Sequence, residues 1–181
     1  MHIRLAQTSD APAVAAIYAH YVRETAITFA THAPTAEDYA TRIADGRYPF
    51  LIAEEAGVVQ GFAYAAAFRE KEAYRWDVEL TIYLAPDALG YGIGKELLSE
   101  CLRLLRAQGY LNAYSCITLP NERSIGLHRR LEFRELGVFK RTGYKLGKWH
   151  DIIWMGLELG EFDATPEEPK RLAQLPGQLH G

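Results

Sequence analysis

Three groups of residues in this chain have the types and spacing to do chemistry. The first is Gly90-Tyr91-Gly92-Ile93-Gly94-Lys95, between an alternating apolar segment and a long amphipathic one. Glycines there allow a tight bend, and a helix start offers unpaired N–H groups and a partial positive charge, so the run can cradle phosphates. A tight strand-to-helix turn without a ligand accounts for the same glycines. The second is Glu79, on the polar side of the alternating segment, either a solvated or ion-paired carboxylate or a proton acceptor. The third is His128, a lone helical histidine. Imidazole gives or takes a proton near neutral pH, and it fills structural positions equally well.

The phosphate ligand can be narrowed by spacing. A P-loop needs four residues between its first glycine and Gly-Lys, then Ser or Thr for magnesium. Here three residues separate Gly90 from Gly94-Lys95, and Glu96 follows. A dinucleotide fingerprint needs GxGxxG and an acidic residue roughly 20 positions on. Gly90-x-Gly92-x-Gly94 has a different spacing, and the downstream strand 113–119 carries no carboxylate. Cys101 and Cys116 lack CxxC spacing, so neither a disulfide framework nor a metal site is indicated. Cys101 falls on an apolar helix stripe and reads as core.

The elements that must position these residues are legible from periodicity. Residues 1–5 form an opening strand, and Thr8 or Ser9 caps a helix with Val14, Ile17, Tyr18, Tyr21 and Val22 on one face. A second helix covers 36–44. Residues 48–55 and 58–68 form a hairpin around Ala56-Gly57. In 75–84, Trp76, Val78, Leu80, Ile82 and Leu84 alternate with Arg75, Asp77, Glu79, Thr81 and Tyr83, predicting a strand with one polar face. A helix follows to about Gln108, then a strand (113–119), a helix (122–131) and closing strands over 133–141 and 152–159. The strand count is open by one. This order predicts an α/β domain over 1–160, helices packed on a central sheet, and an extended tail over 161–181.

Composition sets outer limits. The 181 residues are 49% hydrophobic and 24% charged, the profile of one globular domain. Twenty Lys+Arg against 23 Asp+Glu give −3 and a pI near 6.1, against a general nucleic-acid partner. No apolar run approaches the ~20 residues of a membrane span, and no signal pattern opens the chain. The expectation is a soluble cytoplasmic protein with no membrane partner.

Several motifs together carry a resemblance. The run Ile82-Tyr83-Leu84 before Gly92-x-Gly94 resembles the acyl-CoA pyrophosphate loop of the GNAT acetyltransferase superfamily. Asn121-Glu-Arg-Ser124 through His128 to Phe133 is similar to its second cofactor-contacting helix. Tyr48-Pro49-Phe50, Ala73-Tyr74-Arg75-Trp76-x-x-Glu79, Leu127-His128 and Gly143-Tyr-Lys145-x-Gly147-x-Trp149-x-Asp151 resemble the phosphinothricin N-acetyltransferase family, in order from about Ile3 to Leu159. The resemblance implies a GNAT-type fold with a central mixed, mostly antiparallel sheet. It implies direct acetyl transfer from acetyl-CoA, without metal, to the α-amine of a small amino acid such as phosphinothricin or methionine sulfoximine.

By the same resemblance Glu79 is the base, and His128 is a general acid or a helper to Glu79. Arg69 and Lys71 hold an anionic substrate, with Phe29 and Trp76 as aromatic walls. Ile82, Tyr83 and Leu84 meet the pantetheine arm through backbone groups. Gly90, Tyr91, Gly92, Ile93, Gly94 and Lys95 take the pyrophosphate, and Asn121 and Ser124 contact the cofactor. Asn121 is also placed to cap its helix. Lys145, Trp149 and Asp151 carry family signature without an assigned chemistry. A homodimer is implied as well. Two positions depart from the pattern: Leu89 stands where Gln or Arg is usual, and Glu132 replaces the glycine before Phe133. A protein N-terminal acetyltransferase and a non-catalytic acyl-CoA sensor are the alternative readings.

Overall fold

A computed structural model describes residues 1–162 and 165–175 of the chain. Strand β1 (His2–Leu5) leads through a 3-10 turn at Thr8–Asp10 into α1 (Ala11–Glu24). The cap is Asp10, not Thr8 or Ser9. The Asp10 carboxylate accepts the Gln7 amide (2.8 Å) and pairs with Arg4 (2.7 Å), so the turn closes before the helix begins. Helix α2 (Ala36–Asp45) starts at Thr35, whose hydroxyl accepts from the Asp38 amide, and ends at left-handed Gly46. Strands β2 (Phe50–Glu55) and β3 (Val58–Ala67) form the expected hairpin, with Ala56 and Gly57 both at positive φ. Two positive-φ residues give a turn whose twist matches that of the strands.

Strand β4 (Asp77–Leu84) begins two residues later than alternation suggests, because a 3-10 turn at Glu72–Tyr74 runs on into Arg75, whose N–H bonds the Glu72 carbonyl (3.0 Å). Then come α3 (Ile93–Gln108), β5 (Asn112–Thr118), α4 (Glu122–Arg130), β6 (Arg134–Lys145) and β7 (Lys148–Glu158). The last hairpin is longer than its apolar pattern indicates. It turns at Leu146-Gly147, again with both φ positive. The seven strands make one sheet in the order β1-β2-β3-β4-β5-β7-β6. Among the described residues only β4 and β5 run parallel; every other pairing is antiparallel. This is the mixed, mostly antiparallel sheet flanked by helices that the resemblance implies.

Each face of the sheet has its own core. Leu51, Val78, Leu80, Ala113, Ile153 and Met155 point to α3 and α4, where Leu97, Leu98, Leu105 and Ile125 cover them. Phe50, Ile52 and Phe62 point the other way, to Val14, Ile17 and Tyr21 of α1 and Tyr39 of α2. The expected tail is partly packed. Leu172 and Leu175 are buried in the α3-side core, and the Lys170 amide and carbonyl bond the Gln108 carbonyl and side chain (both 2.7 Å). Pro176, Gly177 and the residues after them lie outside the described residues.

Candidate active site

The ladder between β4 and β5 is short. It pairs Asp77, Val78 and Glu79 with Asn112, Ala113 and Tyr114, and there it stops. Beyond Tyr114, β5 stays with β7 to Thr118, while β4 stays with β3 to Leu84. The closed end is zipped by Leu111 N–H to the Trp76 carbonyl (2.9 Å) and by Asn112 Nδ2 to Asp77 Oδ1 (2.8 Å). The two parallel strands therefore form a fork. From Leu80 to Leu84, the β4 edge turned to β5 has no strand partner, which leaves backbone groups for an extended ligand.

Glu79 sits at the apex of that fork, on the α1/α2 face. Burial raises its pKa, and the Arg69 guanidinium pulls it partly back down. A carboxylate tuned upward is better matched to proton transfer near neutral pH than an ordinary one. Arg69 lies over the Phe68 ring (4.3 Å to its centroid) and the Trp154 ring (5.7 Å). Phe68 in turn meets Trp154 edge-on at 5.7 Å and Tyr114 at 4.5 Å. Among the described residues Arg69 has no ion pair within 4.0 Å. Cys116 is exposed as a residue, but desolvation by the surrounding protein and then the Glu79 carboxylate push its thiol up to about 11, against a thiolate nucleophile. A cation on an aromatic shelf beside a tuned carboxylate suits a small molecule with an ammonium and an acidic group.

The other expected residues divide clearly. Phe29 packs on the backbone of Gly143, 6.2 Å from the His150 ring, in the loop that crosses the far end of β5. Lys71 is exposed in the Arg69 loop. Trp76 lies away from Glu79. It precedes β4 on the opposite face from Glu79, and its indole N–H donates to the Glu167 carbonyl of the tail (2.8 Å). The aromatic partner at the site is Trp154, whose strand neighbour is Cys116. Nothing local in the sequence links Trp154 to Glu79; the link needs the order β4-β5-β7.

His128 is also not beside Glu79. It is buried on the α3/α4 face, where Nδ1 bonds the Ser124 carbonyl (2.8 Å) and Nε2 bonds Ser115 Oγ (2.9 Å). Burial lowers its pKa, which favours the neutral imidazole, and the bond to the Ser124 carbonyl pulls it partly back up. Both ring nitrogens are held inside the protein, on the face of the sheet opposite Glu79.

The glycine run follows a 3-10 turn at Pro86–Ala88. Gly90 and Gly92 have φ of 96° and 83°, and Gly92 caps α3. The first helical bonds run from Lys95 and Glu96 to the Gly92 carbonyl. Among the described residues nothing accepts from the amides of Tyr91, Gly92, Ile93 or Gly94. These amides at a helix start fit a pyrophosphate. A hollow of about 410 Å³ lined by Tyr91 and Ile93 also carries Glu55, Asp87 and Glu96. Leu89 adds no charge there. Ile82 and Leu84 pack toward Gly94, and the Tyr83 ring lies among Tyr18, Tyr21 and Phe62, so only the backbone of 82–84 faces the fork. Tyr21 Oη donates to the Leu84 carbonyl (2.7 Å), a contact with no sequence signal. Asn121 caps α4 by accepting the Ser124 amide (3.2 Å).

Residues 3–154 match the Acetyltransferase (GNAT) domain family. The chain belongs to the GNAT acetyltransferases. This GNAT chain is 34% identical over 178 residues to a phosphinothricin N-acetyltransferase of Streptomyces viridochromogenes, covering 97% of this chain and 96% of that one. It is 38% identical over 169 residues to an L-methionine sulfoximine/L-methionine sulfone acetyltransferase of Pseudomonas aeruginosa, covering 91% and 98%. A phosphinothricin acetyltransferase from Sinorhizobium meliloti, solved with AcCoA, superposes with a TM-score of 0.87 at 38% identity, over 92% of this chain and 93% of that one. The GNAT chain is an N-acetyltransferase. No helix among its described residues is long and apolar enough to cross a membrane.

Proposed function

We propose that this enzyme transfers the acetyl group of acetyl-CoA to the α-amine of a small amino acid or analogue of the phosphinothricin or methionine sulfoximine kind. The observation that carries the reading is the fork with Glu79 at its apex, open toward the free amides of the glycine loop. The names of the relatives above support the substrate class.

An α-ammonium with pKa around 8 must lose a proton before it can attack. Glu79 takes that proton, directly or through one water. The neutral nitrogen then attacks the thioester carbon, and a backbone N–H of 82–84 meets the developing oxyanion. Collapse breaks the C–S bond. The second amine proton goes to the departing sulfur, and Glu79 returns its own to solvent. Tyr91–Gly94 amides and Lys95 hold the pyrophosphate, while Asn121 and Ser124 border the cofactor from α4. Arg69, with Lys71 behind it, draws in the acceptor's acidic group.

Free-thiol release from acetyl-CoA, with phosphinothricin and with no acceptor, tests this directly. Acceptor-dependent release supports the reading. Faster turnover of a peptide N-terminus than of any amino acid would replace it with protein acetylation, and cofactor binding without release would replace it with a sensor. The homodimer has a physical candidate in the outer hairpin, where Phe139, Tyr144, Leu146 and Trp149 are each more than half exposed. Sedimentation of the wild type beside Trp149→Glu tests that face.

A further inference from the structure

The signature Gly143-Tyr-Lys145 has no part in the chemistry above, yet Lys145 is only 7% exposed. Its Nζ donates to the Thr28 carbonyl at 2.7 Å, and no carboxylate is paired with it among the described residues. A lysine taken out of water for one carbonyl is costly unless that carbonyl must be held. The neighbouring carbonyl, of Ile27, accepts from Thr118 Oγ1 at 3.1 Å. The next residue, Phe29, lies so close to Gly143 that a Cβ there would fall 2.2 Å from its ring. Three consecutive loop residues are thus pinned from outside their own segment. From within it, Tyr18 Oη meets Thr28 Oγ1 at 2.7 Å.

The pins stand in a telling place. Thr118 shares a face of β5 with Cys116 and Tyr114, and Tyr114 is the register partner of Glu79. Four residues of strand put Thr118 about 13 Å beyond the fork's apex, on the acceptor side. Gly143 and Lys145, two apart on β6, face the same loop. The loop itself, between α1 and α2, has no ladder to hold its backbone.

We propose that Lys145, with Thr118, is a positioning residue for the acceptor. It docks residues 27–29 across the open arm of the fork, so that Phe29 walls the side from which the amine approaches Glu79. Gly143 is then required for closeness, since any side chain would displace the Phe29 ring. This rests on the acceptor lying on the Glu79 face, as proposed above.

The test is Lys145→Met, which keeps length and removes the donor, with Thr118→Val and Gly143→Ala as independent routes to the same loop. For Lys145→Met the acceptor KM rises about tenfold, with kcat and the acetyl-CoA KM within about twofold. Hydrogen exchange of residues 25–30 speeds up while β4 and β5 stay protected. Thr118→Val and Gly143→Ala shift the acceptor KM in the same direction. An unchanged acceptor KM overturns the proposal, as does an equal loss for both substrates with a lowered Tm. If the wild type acetylates no small amine, the functional reading fails on its own. The exchange measurement then decides the docking: a loop still protected in Lys145→Met overturns it.

Discussion

One step along β5 separates two opposite treatments of polar groups. Ser115 points to the α3/α4 face, where it meets a buried His128 whose second nitrogen is also bonded. Tyr114 and Cys116 point to the α1/α2 face, where Glu79 carries a raised pKa and Arg69 lies across Phe68 and Trp154 without an ion pair among the described residues. The first face satisfies its polar groups inside the fold, as buried groups must be. The second leaves a carboxylate and a cation without an ion pair among the described residues, the Arg69 guanidinium donating to the Phe68 carbonyl (3.0 Å), an arrangement that favours a ligand over the empty protein. Where a titratable group sits in the sheet's alternation thus decides whether it serves stability or chemistry.

The strongest way to break this contrast is Glu79→Gln. Losing the base is expected to lower kcat/KM by about 10²–10⁴. The wild-type rate should rise with pH as Glu79 ionises, over a range shifted above that of an ordinary carboxylate. That limb should be absent in the variant. Equal turnover at every pH would leave the α1/α2 face without its base.

His128→Phe probes the quiet face, and its cost should appear as stability. Ser115 Oγ and the Ser124 carbonyl each lose a partner, for about 1–3 kcal/mol. The sign with pH follows from the lowered folded pKa. Below the ordinary value of 6.5 the unfolded chain binds the proton and the folded one resists it, so wild-type stability falls as pH drops through that value. The Phe variant loses this part of the pH dependence. A hundredfold loss of kcat in a well-folded His128→Phe would return the histidine to the chemistry.

Arg69→Gln should raise the KM for an anionic acceptor about tenfold and leave an uncharged amine within about twofold. Equal effects on both would mean that Arg69 serves only the packing of Phe68 and Trp154. The variant sharpens the contrast, because it tests whether an unpaired cation is held for a ligand.

Much of this arrangement was legible from the chain. Alternation through Val78, Leu80 and Ile82 assigned Glu79 to a polar face, and the glycines at 90–94 marked a helix start with free amides. These are local signals, carried by neighbours in sequence. Trp154 was not legible, because its contact with Arg69 exists only once β7 is placed beside β5. The indole contact of Trp76 was not legible for the complementary reason. Its family signature pointed to the site, while its indole was committed to Glu167, 91 residues away. His128 drew its chemical role from the resemblance alone, and its bond to Ser115, 13 residues back on another element, has no local sequence signal.

The smallest effect concerns Glu132, where the sequence departs from a usual glycine. Its φ is 68°, and the hydrogen bonds explain why. Phe133 N–H reaches back to the His128 carbonyl and Glu132 N–H to Arg129, both at 3.0 Å, the two bonds of a Schellman ending for α4. The residue between must be left-handed, which strains any side chain, and a carboxylate also opposes the negative end of the helix. Glu132→Gly removes both costs, offset by the extra freedom glycine gives the unfolded chain. The net expectation is a gain of about 0.5–1 kcal/mol, or a Tm higher by about 1–4 °C for a domain of this size. Because α4 covers the quiet face, turnover should not change. A stabilised protein with altered kcat would show that strain at the end of α4 is felt across the sheet, and the two faces would have to be treated as one device.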